Sequence, residues 1–348
     1  MMLVAVQNLL WDITPSCNLK CLHCYNSDMI ERGLAHQQDS SLDNIEETIK
    51  KISDLGFTHI HLLGGEPLMY PLIYDVLHFA SFFDISTSIN TNGTLLTESV
   101  CQRLIKEKVS QIVISLDGAV EGDNDIIRGS GVFKQVTDNI KSLSLIKNEF
   151  KANLKIELAV VVTKVNLPRI HQIVILAKDL GIDIVNISEL YHHGNANKHM
   201  NLLSINALEY YSAIKKIIAY ALFIHQKVQI DCKSIVLKQI YNELGINAEL
   251  ESNYDSCQAG KNMIYMNSYK ELYPCGPYAS QNPNGPLKIH LFHHSAQQII
   301  KKFAIEVEKI KELPNDVPCL RCRKRETCSL CPLCKTQSID LCATAFKA

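Results

Sequence analysis

Residues Thr14 to Asn26 read TPSCNLKCLHCYN, and this stretch places Cys17, Cys21 and Cys24 directly after an apolar run. Zinc sites usually close with four ligands, whereas three cysteines with no fourth nearby suit an iron-sulfur cube that leaves one iron uncapped. A chance grouping of thiols and a regulatory thiol cluster are the alternatives. The C-x3-C-x2-C spacing favours a metal centre that keeps one position open for chemistry.

This cysteine pattern resembles the defining loop of the radical S-adenosylmethionine (radical SAM) superfamily. In that loop an aromatic residue precedes the last cysteine, and His23 fills the position here. The resemblance implies a 4Fe-4S cluster on Cys17, Cys21 and Cys24, with S-adenosylmethionine (SAM) chelated to the uncapped iron through its amino and carboxylate groups. In such enzymes the reduced cluster cleaves SAM to a 5'-deoxyadenosyl radical, while the protein positions the reactants.

The composition excludes several classes of function. The chain has 348 residues, 35 of them basic and 36 acidic, and a formal net charge of -1. This balance gives no basic surface for nucleic acid, and no apolar segment reaches a bilayer-spanning length or reads as a secretion signal. Thirteen cysteines without such a signal fit a reducing compartment. We therefore expect a cytoplasmic protein with no nucleic-acid partner and no membrane partner.

Strand-like and helix-like patterns alternate along roughly the first two hundred residues. The predicted strands are 3–13, 57–63, 85–90, 111–116, 154–163 and 182–190, and the predicted helices are 40–55, 72–82, 98–106, 132–147 and 167–180. Such alternation predicts a parallel sheet covered by helices on its outer face. Six units rather than eight predict an incomplete (β/α)6 TIM-like barrel of the α/β class, and the family resemblance implies the same fold.

A glycine pair follows the second predicted strand. Gly64 and Gly65 allow backbone to approach a ligand closely, although a tight turn explains the pair as well. In radical SAM enzymes the corresponding segment hydrogen-bonds the SAM amino group. The resemblance therefore assigns Gly64, Gly65 and Glu66 to SAM binding.

Polar residues also follow the third and fourth predicted strands. They lie at the carboxyl edge of the sheet, where parallel α/β folds keep their active sites. The resemblance places Ser115 and Asp117 near the ribose and carboxylate region of SAM, lets Arg128 pair with the SAM carboxylate, and assigns Asn90 to the same site. Turn formation explains each polar residue equally well, and Arg128 fits a helix-surface charge as well.

The C-terminal third contains a second group of cysteines. We expect residues 1–203 to form the barrel, 204–253 a bridge with a helix at 204–224 and a strand at 228–230, and 254–348 a cysteine-rich domain. In that last domain the sequence predicts a β-hairpin at 263–273 and a helix at 291–310. Its cysteines are Cys257, Cys275, Cys319, Cys322, Cys328, Cys331, Cys334 and Cys342.

These cysteines would suit zinc ribbons in isolation. After a radical SAM loop, they resemble the SPASM extension, which implies two auxiliary 4Fe-4S clusters. The nearer cluster would take Cys257, Cys275 and one or both of Cys331 and Cys334, and the remaining four cysteines would hold the distal one. The chain departs from the SPASM pattern at Lys270, where a glycine is usual, and in the spacing between Cys328 and Cys331.

Auxiliary clusters imply that an electron moves during turnover, as in peptide maturases. We expect oxidative crosslinking, by a thioether or carbon-carbon bond, in a ribosomally made precursor peptide. Peptide epimerisation and tetrapyrrole or other cofactor synthesis are the enzymatic alternatives, and a zinc-binding interaction module is the non-enzymatic one. Gly276 stands where sulfatase maturases carry an Asp base, which argues against that reaction, and the sequence assigns no catalytic acid or base.

The expected partners follow from this assignment. They are the precursor peptide and an electron donor such as flavodoxin or ferredoxin. Because only sixteen residues precede Cys17, leader recognition would come from a separate leader-binding protein or from the barrel itself.

Overall fold

The computed structural model describes residues 8–34, 42–230, 234–246, 259–260, 262–293, 298–299 and 301–303. The strands are β1 Asn8–Thr14, β2 His59–Gly64, β3 Ser86–Thr91, β4 Gln111–Ser115, β5 Lys155–Val161, β6 Ile184–Ser188, β7 Val228–Ile230, β8 Met263–Met266, β9 Glu271–Tyr273 and β10 Ile289–His290. The helices are α1 Ser27–Leu34, α2 Leu42–Asp54, α3 Ile73–Phe82, α4 Glu98–Lys106, α5 Glu121–Arg128, α6 Val132–Glu149, α7 Ile173–Asp179, α8 Asn195–Lys198, α9 Met200–Leu203, α10 Ala207–Ile224, α11 Ser234–Glu243 and α12 Gly276–Gln281.

The described strands form one sheet in the order β10-β9-β8-β1-β2-β3-β4-β5-β6-β7. Strands β1 to β7 pair in parallel with their neighbours, and β8 pairs in parallel with the other edge of β1. The β8-β9 and β9-β10 pairs are antiparallel. The predicted α/β architecture, six parallel strands in chain order with helices between them, is confirmed.

Strand alternation separates an apolar face from a polar face of the sheet. In β2, Ile60 and Leu62 are fully buried in the same apolar core as Ile49 of α2. His59 and His61 are half-buried and, because successive side chains point to opposite faces, they lie on the concave side. The helices therefore cover one face, and polar side chains line the other.

Local sequence signals explain several element boundaries. Thr97 caps α4, its hydroxyl accepting a hydrogen bond from the Val100 amide, and the structure gives α4 the predicted bounds. Asn206 and Glu209 form a capping box at the start of α10. Helix α5 was not predicted, because EGDNDIIR lacks a repeating apolar face.

The predicted hairpin is present, but the predicted helix at 291–310 starts too early. Strands β8 and β9 are joined by a turn at residues 267–270, whereas residues 291–293 form a turn after β10. The described residues 298–299 and 301–303 are helical. Residues 304–310 lie outside the described ranges.

The sheet crosses both predicted domain boundaries, because β7 pairs with β6 and β8 pairs with β1. The division into three domains remains a prediction. None of the helices in the described part of the chain is both long enough and apolar enough to span a membrane.

Lys270 occupies a backbone conformation that favours glycine, with φ of 60°. We expect Lys270→Gly to raise the free energy of unfolding by about 0.5–1 kcal/mol, because a side chain in the left-handed region is strained. Chemical denaturation measures this change. Lys51→Gly, inside α2, should lower stability by about 1 kcal/mol, and a loss of stability in both variants would contradict the strain argument.

Candidate active site

The three N-terminal cysteines lie on the loop between β1 and α1, at the carboxyl edge of the sheet. Cys17, Cys21 and Cys24 are each half-buried. Strand β1 is flanked by β2 and β8, so residues from several strand ends surround this segment. We call residues 15–26 the cysteine loop.

The glycine pair after β2 packs against the start of the cysteine loop. The Gly65 amide donates to the Thr14 carbonyl at 2.7 Å, and the Glu66 amide donates to the Ser16 carbonyl at 2.7 Å. A side chain on Gly64 would overlap the Thr14 carbonyl, and one on Gly65 would overlap the Ser16 carbonyl. These glycines therefore approach the backbone at the end of β1 and at the start of the cysteine loop.

Glu66 is directed into the protein and is 0% exposed. Its carboxylate accepts hydrogen bonds from the Thr91 hydroxyl at 2.7 Å, the Asn92 amide at 2.7 Å and the Leu68 amide at 3.1 Å. Burial raises the pKa of the carboxyl, and these donors partly offset the increase. The Glu66 carboxylate therefore joins the end of β2 to the end of β3.

Two residues after β3 hold the first part of the cysteine loop. The Asn92 side-chain amide donates to the Asn18 side-chain carbonyl at 2.8 Å and lies 4.0 Å from the Cys17 sulfur. The Asn18 side chain in turn donates to the Thr94 hydroxyl at 2.8 Å. Sequence reasoning did not assign these residues, because an Asn-Thr-Asn-Gly stretch is equally typical of a turn.

A buried ion pair holds the middle of the loop. One Asp117 oxygen lies 2.6 Å from Arg128 Nε and 2.7 Å from His23 Nε2, and the other accepts a hydrogen bond from the Val161 amide at 2.8 Å. Burial alone would raise the pKa of Asp117, but Arg128 and His23 outweigh it and hold this pKa well below its usual range. The Leu22 amide also donates to the Ile127 carbonyl.

This geometry corrects two expectations. Arg128 is not a surface charge, since it is 7% exposed. Asp117 is 0% exposed and both of its oxygens have partners within the protein, so the structure places it behind Arg128 and His23 rather than at an open ligand surface. Asn166 supports the same strand end, because its side-chain amide donates to the Asp117 carbonyl at 2.6 Å.

Asn90 and Ser115 lie at the ends of β3 and β4, as predicted, and both are half-buried. The Asn90 side-chain oxygen is buried and has no hydrogen-bond partner among the described residues. Buried acceptors are normally satisfied in proteins, so this oxygen suits a bound ligand.

The loop after β6 holds the last part of the cysteine loop. The Asn195 amide donates to the Cys24 carbonyl at 3.0 Å, and the Asn195 side chain donates to the Cys21 carbonyl at 3.3 Å. Gly194 has φ of 56°, and a side chain there would overlap the Cys24 carbonyl and the Ser27 hydroxyl.

Asp12 of β1 joins the loop exit to the C-terminal hairpin. It is 7% exposed, and its Oδ2 accepts hydrogen bonds from the Asn26 side chain at 2.6 Å and the Tyr265 hydroxyl at 2.5 Å. Burial raises the pKa of Asp12 to about 6. No described cationic side chain forms an ion pair with it. We call Asp12, Asn26 and Tyr265 the Asp12 junction; sequence reasoning missed it because Asp12 lies within an apolar strand.

Cys275 follows β9 of the C-terminal hairpin, whose other strand, β8, pairs with β1. It is buried, and its sulfur accepts a hydrogen bond from the Tyr278 amide at the start of α12. Burial raises the pKa of Tyr25, and the nearby Asp12, Cys24 and Cys275 raise it further. The remaining predicted C-terminal ligands lie outside the described residues: Cys257, Cys319, Cys322, Cys328, Cys331, Cys334 and Cys342.

The cysteine loop fits an iron-sulfur cluster that carries a ligand. Among the described residues, no three His, Cys, Asp or Glu side chains converge on one ion position. The cysteines of a cube need not converge, because each binds a different iron atom. Asn90 supplies an unsatisfied buried acceptor at the same edge of the sheet. Cys101, by contrast, is a fully buried thiol in the apolar core.

Comparison with known proteins decides the family. Residues 11–154 match the model of the radical SAM superfamily. These residues form a radical SAM domain. The chain is therefore an enzyme, and the domain implies a 4Fe-4S cluster and SAM as cofactors.

The similar proteins include a tetrapyrrole enzyme and a peptide maturase. The AdoMet-dependent heme synthase of Methanosarcina barkeri is 24% identical over 281 residues, covering 76% of this chain and 75% of that protein. The mycofactocin maturase MftC of Mycobacterium tuberculosis is 29% identical over 173 residues. That match covers 50% of this chain and 42% of the maturase, which is less than half of the maturase's length.

Solved structures show the same fold. Streptococcus suis SuiB bound to precursor peptide SuiA matches with a TM-score of 0.70 and 20% identity, covering 94% of this chain and 71% of SuiB. The enzyme anSMEcpe with bound AdoMet matches with a TM-score of 0.68 and 18% identity, covering 98% of this chain and 95% of that one. At these identities the likeness establishes architecture alone.

Gly65 provides a direct test of the contact between the glycine turn and the cysteine loop. We expect Gly65→Ala to abolish cluster incorporation, because the added methyl group would overlap the Ser16 carbonyl. Iron and sulfide content after anaerobic reconstitution measures the effect. Gly122→Ala is the matched control, since no atom lies within 4 Å of the added group, and it should retain a full cluster. Normal iron content in Gly65→Ala would refute the role of this contact.

Neutralising Asp12 should stabilise the protein at alkaline pH. Burial raises its pKa from 3.8 to about 6, so its favourable contribution is complete below about pH 4 and is lost as pH rises through 6. Asp12→Asn can accept the same hydrogen bonds and should raise the free energy of unfolding by on the order of 2–3 kcal/mol at pH 8.

Thermal melts of the cluster-loaded protein from pH 5 to 8 measure this gain, which should shrink as the pH falls. Asp54→Asn, at an exposed helix position, should show no comparable pH-dependent change. An Asp12→Asn protein that is less stable than wild type at every pH would contradict the interpretation.

Proposed function

We propose that this enzyme reductively cleaves SAM and modifies a ribosomally synthesised precursor peptide, forming a thioether or carbon-carbon crosslink by oxidation. When bound, the cluster and SAM supply a 5'-deoxyadenosyl radical that removes a hydrogen atom from the substrate. The observation that carries the proposal is the position of Cys275, which follows β9 of the hairpin whose other strand, β8, pairs with β1, the strand that leads into the cysteine loop. A second metal centre at Cys275 would adjoin the site where the radical forms.

Two groups of described residues would contribute to SAM binding, one directly and one by positioning the first. The backbone of residues 64–66, the Asn90 side chain, Ser115 and Arg128 supply the polar groups at the carboxyl edge. Glu66 and Asp117 act one step further back, because their carboxylates fix the ends of β2 and β4. Arg128 keeps its charge in a buried setting because Asp117 compensates it.

The C-terminal region supplies the oxidant in this proposal. Eight cysteines satisfy two auxiliary 4Fe-4S clusters of a SPASM domain at residues 254–348. Cys257, Cys275 and one or both of Cys331 and Cys334 would hold the nearer cluster, and Cys319, Cys322, Cys328 and Cys342 the distal one. As the new bond forms, the substrate radical would lose one proton to solvent and pass one electron to the nearer cluster, and an oxidised flavodoxin or ferredoxin would then take up that electron.

Two findings support a peptide as the substrate. One group of similar curated proteins is the mycofactocin maturases, and SuiB, which has the same fold, was solved with a precursor peptide. Leader recognition by the barrel or by a separate binding protein, and a cytoplasmic location, complete the proposal. The similarity to AdoMet-dependent heme synthase and pre-heme d1 synthase favours tetrapyrrole modification as the second candidate.

Anaerobic reconstitution followed by turnover with SAM, dithionite and the small peptides encoded near the gene tests the proposal. We expect about twelve iron atoms per chain, formation of 5'-deoxyadenosine, and a peptide product lighter by two hydrogens. Cys21→Ala should abolish 5'-deoxyadenosine formation, whereas Cys101→Ala should retain it, because Cys101 lies on the buried face of α4, in the apolar core.

The outcomes separate the candidates. A peptide of unchanged mass that takes up deuterium from solvent would indicate epimerisation. Turnover of a tetrapyrrole with no change in any peptide would replace the peptide proposal with the second candidate. About four iron atoms per chain, with zinc on the remaining cysteines, would refute the auxiliary clusters.

A further inference from the structure

The Asp12 junction connects two parts of the chain that are far apart in sequence. Asn26 lies two residues after Cys24 and directly precedes α1, whose Ile30 amide donates to the Asn26 carbonyl at 2.9 Å. Tyr265 lies in β8, and a side chain at Gly276, next to Cys275, would lie 3.4 Å from its ring. One carboxylate oxygen of Asp12 therefore links the exit of the cysteine loop to the hairpin that leads to Cys275.

The junction also borders the glycine turn. A small pocket is lined by Asp12, Asn26 and Tyr265, by Gly65, and by residues 267–269 of the hairpin turn. Gly65 is the residue whose amide binds the start of the cysteine loop. The junction thus lies between the turn that supports the start of the loop and the hairpin that is joined to the end of the loop through Asp12.

A charged residue at the position of Asp12 lowers stability, which raises the question of what the charge contributes. A buried carboxylate without a cation is destabilising, and a neutral residue of the same shape would avoid that penalty. A charged acceptor, however, forms shorter and stronger hydrogen bonds than a neutral one. Asn26 and the Tyr265 hydroxyl donate to the same Asp12 oxygen, so both hydrogen bonds are stronger when the carboxyl is charged.

We propose that Asp12 is a positioning residue of the radical-generating site, and that its carboxylate fixes the Cys24 end of the cysteine loop against the Tyr265 hydroxyl of the C-terminal hairpin. The hairpin thereby sets the orientation of the loop that holds the cluster and SAM. The proposal rests on SAM cleavage and not on the identity of the substrate.

Tyr265→Phe, Asp12→Asn and the double variant test the proposal in cluster-loaded protein without any substrate. The first readout is the rate of SAM cleavage with dithionite, normalised to iron content. The second is the change that SAM produces in the electron paramagnetic resonance spectrum of the reduced N-terminal cluster, measured with the signals of any C-terminal clusters subtracted. Tyr273→Phe is the matched control, because its hydroxyl bonds within the hairpin region to the Pro283 carbonyl at 2.8 Å.

We expect Tyr265→Phe and Asp12→Asn each to slow SAM cleavage about tenfold per cluster and to alter the SAM-dependent spectrum. The double variant should be no slower than the slower single variant, since Tyr265→Phe removes, and Asp12→Asn weakens, the same hydrogen bond. Asp12→Asn should be slower while being no less stable than wild type, a combination that a purely structural role does not produce. Tyr273→Phe should behave as wild type.

Three results would overturn the proposal: unchanged rates and spectra in both variants, effects that multiply in the double variant, or losses that vanish after normalisation to iron. If wild-type protein fails to cleave SAM, the proposed function fails, and the spectra of the variants still decide the positioning role. The two proposals can therefore fail separately.

Discussion

The backbone contact between the glycine turn and the cysteine loop is the constraint on which the site depends. Strand β1 delivers the loop to the carboxyl edge, and the amides of Gly65 and Glu66 bind its first carbonyls. Side chains at Gly64 and Gly65 would occupy the space of those carbonyls. Because this contact fixes where the loop starts, the residues after β3, β4 and β6 can each hold a later part of it.

Three buried carboxylates around the loop differ in the partners that stabilise them. Glu66 receives three hydrogen bonds from neutral donors, Asp117 faces the Arg128 guanidinium, and Asp12 receives two neutral hydrogen bonds. The pKa values differ accordingly: burial outweighs the hydrogen bonds at Glu66 and Asp12 and raises their pKa, whereas at Asp117 Arg128, His23 and the hydrogen bonds together outweigh burial and lower it. Asp117 thus provides a stable anchor, whereas Asp12 carries a charge that its surroundings only partly compensate.

The sequence predicted elements that depend on local patterns and missed contacts that depend on the fold. Helix α4 has its predicted bounds because Thr97 caps an apolar period, whereas α5 has no such period to detect. The hairpin formed despite Lys270, because the strands flanking it pair well enough to hold a strained residue. The bond between Asp12 and Tyr265 joins residues 253 positions apart, so no periodicity could indicate it.

For the site, the sequence predicted which residues lie at the carboxyl edge but not which way they face. Glu66 and Asp117 lie where the family pattern places them, yet both carboxylates point into the protein. Polar residues at the end of a strand can bind a ligand, or they can form hydrogen bonds with the backbone of the neighbouring strand. The order of residues in the sequence does not distinguish these two roles.

The concave face of the sheet is polar below the site, and this follows from the incomplete barrel. In a closed barrel of eight strands, apolar side chains fill the interior. Here Ser88 hydrogen-bonds both His59 and His61 across β2 and β3, and Glu157 accepts from Gln111 and Asn186 across β4 to β6. Ser88 and Glu157 are themselves buried. These side chains therefore satisfy one another's hydrogen bonds inside the protein, and the interior below the site is polar where a closed barrel would be packed with apolar side chains.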